Sequence, residues 1–267
     1  MKIKSLLKKG HGNFGCIEMN NTVILFCCHF WSPEVEKEFF RLKKCCDKDF
    51  DVVLSYDCSR EPDGSPKDIS KHLFTAGRIR KMGYSFQAQE GIWHHIEYPV
   101  LDYYMRNPQY DFYWRIEYDV RFGGDWSIFF RHFINNNADL LGAYIRTYKE
   151  QPNWHWWNKI NLEVDKDCLR GIFFPVARFS RRSLDFLDHQ YRNGASGYCE
   201  LIVPTLLNMQ HMQIEDIGKE FYDLFTVNCN GIVIRKKGKL HHPVRDMKFS
   251  TRLKNTLSMM KNGRNYP

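Results

Sequence analysis

The chain lacks most of the features that assign a protein to a class at sight. No apolar run approaches the roughly 18 residues that a membrane-spanning helix needs, which argues against a spanning protein. The opening MKIKSLLKKGHG has no apolar stretch of the secretory kind, so the expected location is the cytoplasm. There are nine cysteines, an odd number, two sets of them adjacent (Cys27 with Cys28, Cys45 with Cys46), and no CxxC. That pattern indicates neither a disulfide framework nor a zinc site. In VILFCCHF the thiols read as small apolar side chains. Also absent are a GxxxxGKS/T loop, a GxGxxG after a strand, a GxSxG elbow and an HExxH pair, so the commonest phosphate-cradling and hydrolytic sites have no support. Without an internal repeat, a low-complexity segment or a linker, one domain is expected over residues 1–246, followed by a tail at 247–267.

What is present is a sizeable core. With 267 residues and 43% hydrophobic content the chain can bury one large α/β domain, and its 15% of aromatics suits either a core or a broad cleft. The net charge of +8 is concentrated at the ends. From Arg235 to Pro267 ten Lys or Arg face the single Asp246, and the first nine residues add four Lys, leaving the body between them acidic. An acidic partner would therefore meet the ends of the chain. In MKFSTRLKNTLSMM, Phe249, Leu253, Leu257 and Met260 recur at helical spacing among Lys248, Arg252 and Lys254. This is the pattern of a basic amphipathic helix on an anionic membrane surface, or of a solvated helix packing one stripe on the body.

The order of elements points to α/β. Thr22 to Phe30 reads as a buried strand, PEVEKEFFRLKKCC as a helix with Pro33 in its first turn, acids early and bases late, and FDVVLSYD as a second buried strand. Such a βαβ unit makes a parallel pair, and ligands bind at the C-terminal edge of sheets built that way. Residues 59–72 read as a polar loop. Further on come a helix from about Trp93 to before Pro108, a strand from Phe112 to Phe122, a helix capped by Asp125, and strands in ADLLGAYIRTY and GIFFPVARFS. A helix opened by Ser180 and closed by Gly194, a helix beginning near Glu200, the strand VNCNGIVIRK and the turn KLHHPVRD complete the chain.

Four features carry chemistry. Glu117 and Asp119 are two apart near the end of a strand, where they would project to one side and share a hard cation or a cluster of donors. Arg115 and Arg121 would lie on the same face, and pairing with them is the competing structural explanation. Glu200 follows a glycine-bearing GASG segment; alone it reads as a partner of the helix N-terminus, but a loop that brought it into a cleft would make it a general base. Of His241 and His242, one at most reads as a ligand, and an exposed pair in a basic segment is the simpler expectation. Trp154, Trp156 and Trp157 exceed what a single core anchor requires and suit stacking on a sugar or another flat apolar face.

Taken in order from Val23 to Arg245, these features resemble a glycosyltransferase of the GT-A fold, a single Rossmann-like domain with a mixed, mostly parallel sheet flanked by helices. FYWRIEYDVRFGGDW looks like the central block of an uncharacterised glycosyltransferase-like family of fungi and bacteria. ELIVPTLL is similar to the acidic-residue helix of branching N-acetylglucosaminyl- and xylosyltransferases, and HHPVR to a late His-Pro element. The resemblance implies a hexosyl- or N-acetylhexosaminyltransferase of glycan, lipopolysaccharide or capsule assembly. Its donor would be a nucleotide-sugar, a UDP-sugar for preference, and its acceptor a saccharide or lipid-linked saccharide. Phe30 and Asp57 would lie near base and ribose, while Glu117 and Asp119 would hold the diphosphate through Mn2+ or Mg2+ with His242 as a further ligand. Glu stands where the family's first Asp is usual, and relatives that work without metal would use cations such as Arg245 or Lys248 instead. Glu200 would deprotonate the acceptor, with inversion, and Trp154, Trp156 and Trp157 would bind it. There are two rivals: a metal-dependent nucleotidyl- or phosphotransferase using the same carboxylates, and a nucleic-acid-binding protein, which would account for the basic tail and the aromatics. The second ranks lower because the cations sit at the ends and the carboxylates and aromatics in the acidic body, so no nucleic acid is expected as a partner.

Overall fold

In the computed structural model, which describes residues 21–86, 92–222 and 236–244, the expected βαβ unit opens the chain. Strand β1 (Thr22–Cys28), helix α1 (Pro33–Cys46) and strand β2 (Asp51–Asp57) form it, and β1 and β2 pair in parallel. Ser32 caps α1 by accepting from the Val35 amide, and Glu34 and Glu36 at one end with Lys43 and Lys44 at the other match the helix dipole. Strand β3 (Lys71–Phe74) and helix α2 (Ala76–Arg80) follow, in and just after a stretch read as loop. The sequence hid β3 because one of its inward positions is polar: buried His72 bonds Ser55 Oγ at 2.9 Å and Asp102 at 2.9 Å.

Helix α3 (Glu97–Arg106) leads to β4 (Phe112–Glu117), which lies on the other side of β1, again parallel. The expected strand to Phe122 breaks: a turn closed by Val120 N–H donating to Glu117 O at 3.0 Å separates β4 from β5 (Arg121–Phe122). Asp125 caps α4 (Trp126–His132) through the Ser127 amide. Strands β6 (Leu140–Thr147) and β7 (Arg170–Ser180), helices α5 (Arg181–Arg192) and α6 (Cys199–Met209), and the three-residue β8 (Ile214–Asp216) fill the second half. Where a turn was expected at KLHHPVRD, Leu240–His241 forms β9, paired antiparallel with β5. The segment VNCNGIVIRK up to Arg235, together with Arg245, Lys248 and the basic tail, falls outside the described residues.

The main sheet has the order β3-β2-β1-β4-β7-β6-β8, with β7 antiparallel to both neighbours and every other pair parallel. This is the mixed, mostly parallel α/β architecture expected from the sequence. Both faces are covered, which is why β1 is a continuous apolar run. Val23 and Leu25 enter the core beneath α3, α5 and α6, while Ile24 and Phe26 enter the one beneath α1 and α4. Because β1, β2, β4 and β6 all run the same way, their C-terminal ends meet at one edge, beside the N-terminal end of β7. No helix among the described residues is long and apolar enough to cross a membrane.

Candidate active site

A cleft of about 1360 Å³ opens along that edge, and Glu117, Asp119, Glu200 and His242 line it. Glu117 is the last residue of β4 and Asp119 lies in the turn after it, so the two approach each other through the turn rather than by strand alternation. His242 arrives from the far end of the chain on the β5–β9 ribbon, in which Arg121 pairs with His241 and Phe122 with Leu240. The ribbon is seated by Gly123, whose N–H donates to Lys239 O at 2.8 Å. A Cβ on Gly123 would stand 1.9 Å from Lys236 O, so only glycine admits the approach. A further amide bond, Val244 N–H to Asp119 O at 2.7 Å, pins the segment beyond His242 to the turn.

The resulting cluster is tight. His242 Nε2 lies 3.1 Å from Glu117 Oε2 and 3.5 Å from Asp119 Oδ1, and one ligand atom from each residue falls within 4.8 Å of the others. Two carboxylates and an imidazole are donors that suit Mn2+ or Mg2+, so these residues fit the divalent ion the sequence led us to expect. Burial pushes the Glu117 carboxyl up, but the Arg115 guanidinium and His242 outweigh it and bring its pKa to about 2. Its neighbours thus favour the charged carboxylate. Arg115 takes one part of the competing explanation, donating to Glu117 Oε1 at 3.1 Å and to Phe174 O. Arg121 does not share that face: it donates to Tyr118 O at 2.5 Å and lies 3.5 Å from Glu38.

Glu200 occupies the first turn of α6 but caps nothing there; its Oε1 accepts from the Phe174 amide of β7 at 3.1 Å. Burial raises its pKa to about 7, against the opposing pull of that amide and of Arg146. A carboxyl poised there can take a proton near neutral pH. The GASG segment sets its place. Ser196 N–H donates to Asn161 Oδ1 at 2.7 Å, and a Cβ on Gly197 would stand 2.8 Å from Lys159 O. These contacts lash the start of α6 to the connection between β6 and β7 that carries Trp154, Trp156 and Trp157.

That loop supplies an aromatic wall. Trp156 stacks on Tyr198 with centroids 4.1 Å apart, Trp93 lies 6.1 Å from Tyr198, and the Arg146 guanidinium sits 4.7 Å over Trp154. Trp93, Trp154, Trp156 and Tyr198 line the cleft. Trp157 does not: it is buried against Leu169 and Leu201, and its Nε1 donates to Gln151 O at 2.7 Å. It is the core anchor of the loop.

With this geometry in view, solved structures of similar shape can be set beside it. A mannosyltransferase from Pyrobaculum calidifontis, solved with GDP-Man and Mn2+, is similar over 87% of this chain and 59% of its own, at 10% identity and a TM-score of 0.43. The mannosyltransferase Ktr4p of S. cerevisiae is similar over 80% of this chain and 72% of its own, at 12% identity and a TM-score of 0.38. A glucose-1-phosphate thymidylyltransferase of Bacillus anthracis is similar over 73% of this chain and 85% of its own, at 12% identity and a TM-score of 0.42. No family model and no curated protein matches the sequence. These likenesses are distant, and what the cleft can do follows from its own side chains.

The other residues singled out in the sequence are dispersed. Asp57, at the end of β2, lines the cleft and accepts from the Ser59 amide at 2.8 Å. Phe30, two residues beyond the end of β1, stays outside the lining, with its ring 4.9 Å from Tyr118. His241 and His242 are both buried rather than exposed, and they diverge, His241 Nε2 accepting from the Lys236 amide at 2.9 Å. Sequence reasoning passed over Trp93, Arg146 and Tyr198. Tyr198 adjoins Glu200 and could have been suspected from that position. Arg146 carried no signal, because an arginine near the end of a strand is ordinarily a solvated side chain.

Proposed function

We propose that this protein transfers a sugar from a nucleoside-diphosphate sugar to a hydroxyl of a saccharide or lipid-linked saccharide, with inversion at the anomeric carbon. The observation that carries this is the meeting, in one cleft, of a Glu117–Asp119–His242 cluster with a buried carboxyl near neutrality at Glu200. The donor's nucleotide would lie over the ends of β1 and β2, near Phe30 and Asp57, with its diphosphate at the cluster. Glu117, Asp119 and His242 would hold a divalent ion, which when bound offsets charge on the departing diphosphate. In a metal-free variant of the reaction that duty would pass to Arg245 or Lys248, the former following Val244 directly in sequence.

Glu200 takes the acceptor's hydroxyl proton as its oxygen attacks the anomeric carbon. The new C–O bond forms as the bond to the β-phosphate oxygen breaks, and that electron pair leaves with the nucleoside diphosphate. The aromatic wall of Trp154 and Trp156 binds the acceptor's apolar ring faces. Glu200 also separates this reading from nucleotidyl transfer, in which a phosphate nucleophile arrives already ionised and needs no base. A UDP-sugar is the favoured donor, and the basic tail would hold the enzyme at an anionic cytoplasmic membrane face.

The test is a thermal-shift series with UDP, GDP and CMP, each with and without Mn2+, followed by product analysis. Stabilisation by one nucleotide that deepens with metal, and a product carrying sugar, supports the reading. A product carrying a nucleotidyl group instead, or no response to any nucleotide, overturns it.

A further inference from the structure

Arg146 is held in the cleft at some structural cost. Between Ala143 and Arg146 the β6–β7 register shifts, and Tyr144 there takes a left-handed φ of 52°. Such a bulge re-aims the side chain beyond it, and a non-glycine residue in this conformation is strained. The displaced amides are bonded elsewhere. Tyr144 N–H donates to Tyr222 Oη at 3.3 Å and Ile145 N–H to Asp216 Oδ2 at 3.3 Å, while Tyr222 Oη donates to Asp216 Oδ1 at 2.7 Å. Across the ladder Gly171 leaves room for the arginine stem. A Cβ there would stand 2.8 Å from both Arg146 Cγ and Trp154 Cζ3.

Among the described residues the guanidinium so placed has one hydrogen bond, Nε to Tyr144 O at 3.2 Å, besides its position over the Trp154 ring. It stands in no ion pair among the described residues, unlike Arg115, which is committed to Glu117. A guanidinium held over an indole and tied back through its Nε leaves its terminal nitrogens unengaged among the described residues, the fork that binds a carboxylate or phosphate through paired hydrogen bonds. Topology says which substrate it would meet. Arg146 belongs to β6, separated from β4 by β7 and on the opposite side from β1 and β2, so it flanks Glu200 and the aromatic wall rather than the donor half of the cleft.

We propose that the acceptor is an acidic saccharide, its carboxylate or phosphate bound by Arg146 while Trp156, Tyr198 and Trp93 take its ring faces. The proposal rests on the sugar-transfer reading for the word acceptor, but the binding site itself can be tested without turnover. The probes are methyl glucuronoside, methyl glucoside and glucose 6-phosphate, titrated into the full chain by tryptophan fluorescence and calorimetry. At least one charged probe should bind about tenfold or more tighter than the neutral one, and which one does so separates carboxylate from phosphate. In Arg146→Gln this ratio should collapse to about one, and in Arg146→Lys, which keeps the charge but loses the fork, it should be partly restored. Equal binding of charged and neutral probes by the unaltered chain, or a ratio that survives Arg146→Gln, overturns the proposal. Nucleoside diphosphate binding is read in parallel: its loss would count against sugar transfer and leave the acidic-sugar site standing.

Discussion

His242 Nε2 lies 3.1 Å from Glu117 Oε2, a contact spanning 125 positions of sequence. It ties the end of a central strand to the last described segment of the chain and makes one donor set out of residues that no local pattern links. That closure, with the parallel arrangement that brings Glu200 to the same edge, assembles the side chains that line the cleft.

Asp119 lies in the turn beyond β4, and the bond that pins Val244 there goes to its backbone carbonyl, which a substitution of the side chain leaves in place. Replacing it with alanine should lower sugar transfer by about 100-fold or more while leaving the fold intact, because a transition-state charge would lose part of its stabilisation. Turnover of donor and acceptor with circular dichroism as the control measures this; activity within threefold of the parent would exclude Asp119 from the chemistry.

Glu200 sets a pH signature. Its folded pKa of about 7 lies above its ordinary value of 4.5, so kcat/KM should rise as pH passes through about 7 and the base loses its proton. The same shift means that its contribution to stability is complete below about pH 4.5 and is lost as pH climbs through about 7. Glu200→Gln should therefore abolish the alkaline rise in activity and, at pH 8.5, be more stable than the parent by on the order of a few kcal/mol. Urea titrations at pH 5 and pH 8.5 supply the comparison.

The two neighbouring tryptophans should separate. Trp157→Ala removes a buried indole and should cost about 3–5 kcal/mol of stability. Trp156→Ala, at the cleft wall, should instead raise KM for a saccharide acceptor with little change in the melting temperature. Equal loss of stability in both variants would remove the distinction drawn between them.

Gly123→Ala would force Lys236 and the β9 ribbon away from β5. Since His242 rides on that ribbon, Mn2+ affinity should fall by about tenfold or more even though residue 123 touches no ligand atom. Isothermal titration with Mn2+ before and after the substitution tests this, and unchanged affinity would mean that His242 is placed by other contacts.

Much of this was legible in the chain itself. The βαβ opening, the caps at Asp125 and Ser180, and the pair Glu117 and Asp119 could be read because each rests on neighbours a few residues apart. The strand β3 escaped because His72 fills an inward position with a polar ring that only Ser55 and Asp102 satisfy. The break after Glu117 escaped for a related reason: alternation of side chains cannot reveal that the backbone turns, and so it placed Arg121 with the carboxylates when its partner is Glu38.

The sequence by itself determined the α/β class, the parallel edge and the carboxylates that border it, since hydrophobic period and capping act over a turn or a strand. Only the tertiary structure decided that His242 turns inward to Glu117, that Glu200 is buried to a pKa of about 7, and that Arg146 stands in the cleft. Proximity across a hundred residues and the desolvation of a carboxyl are properties of packing, and neither is written in any short stretch of the chain.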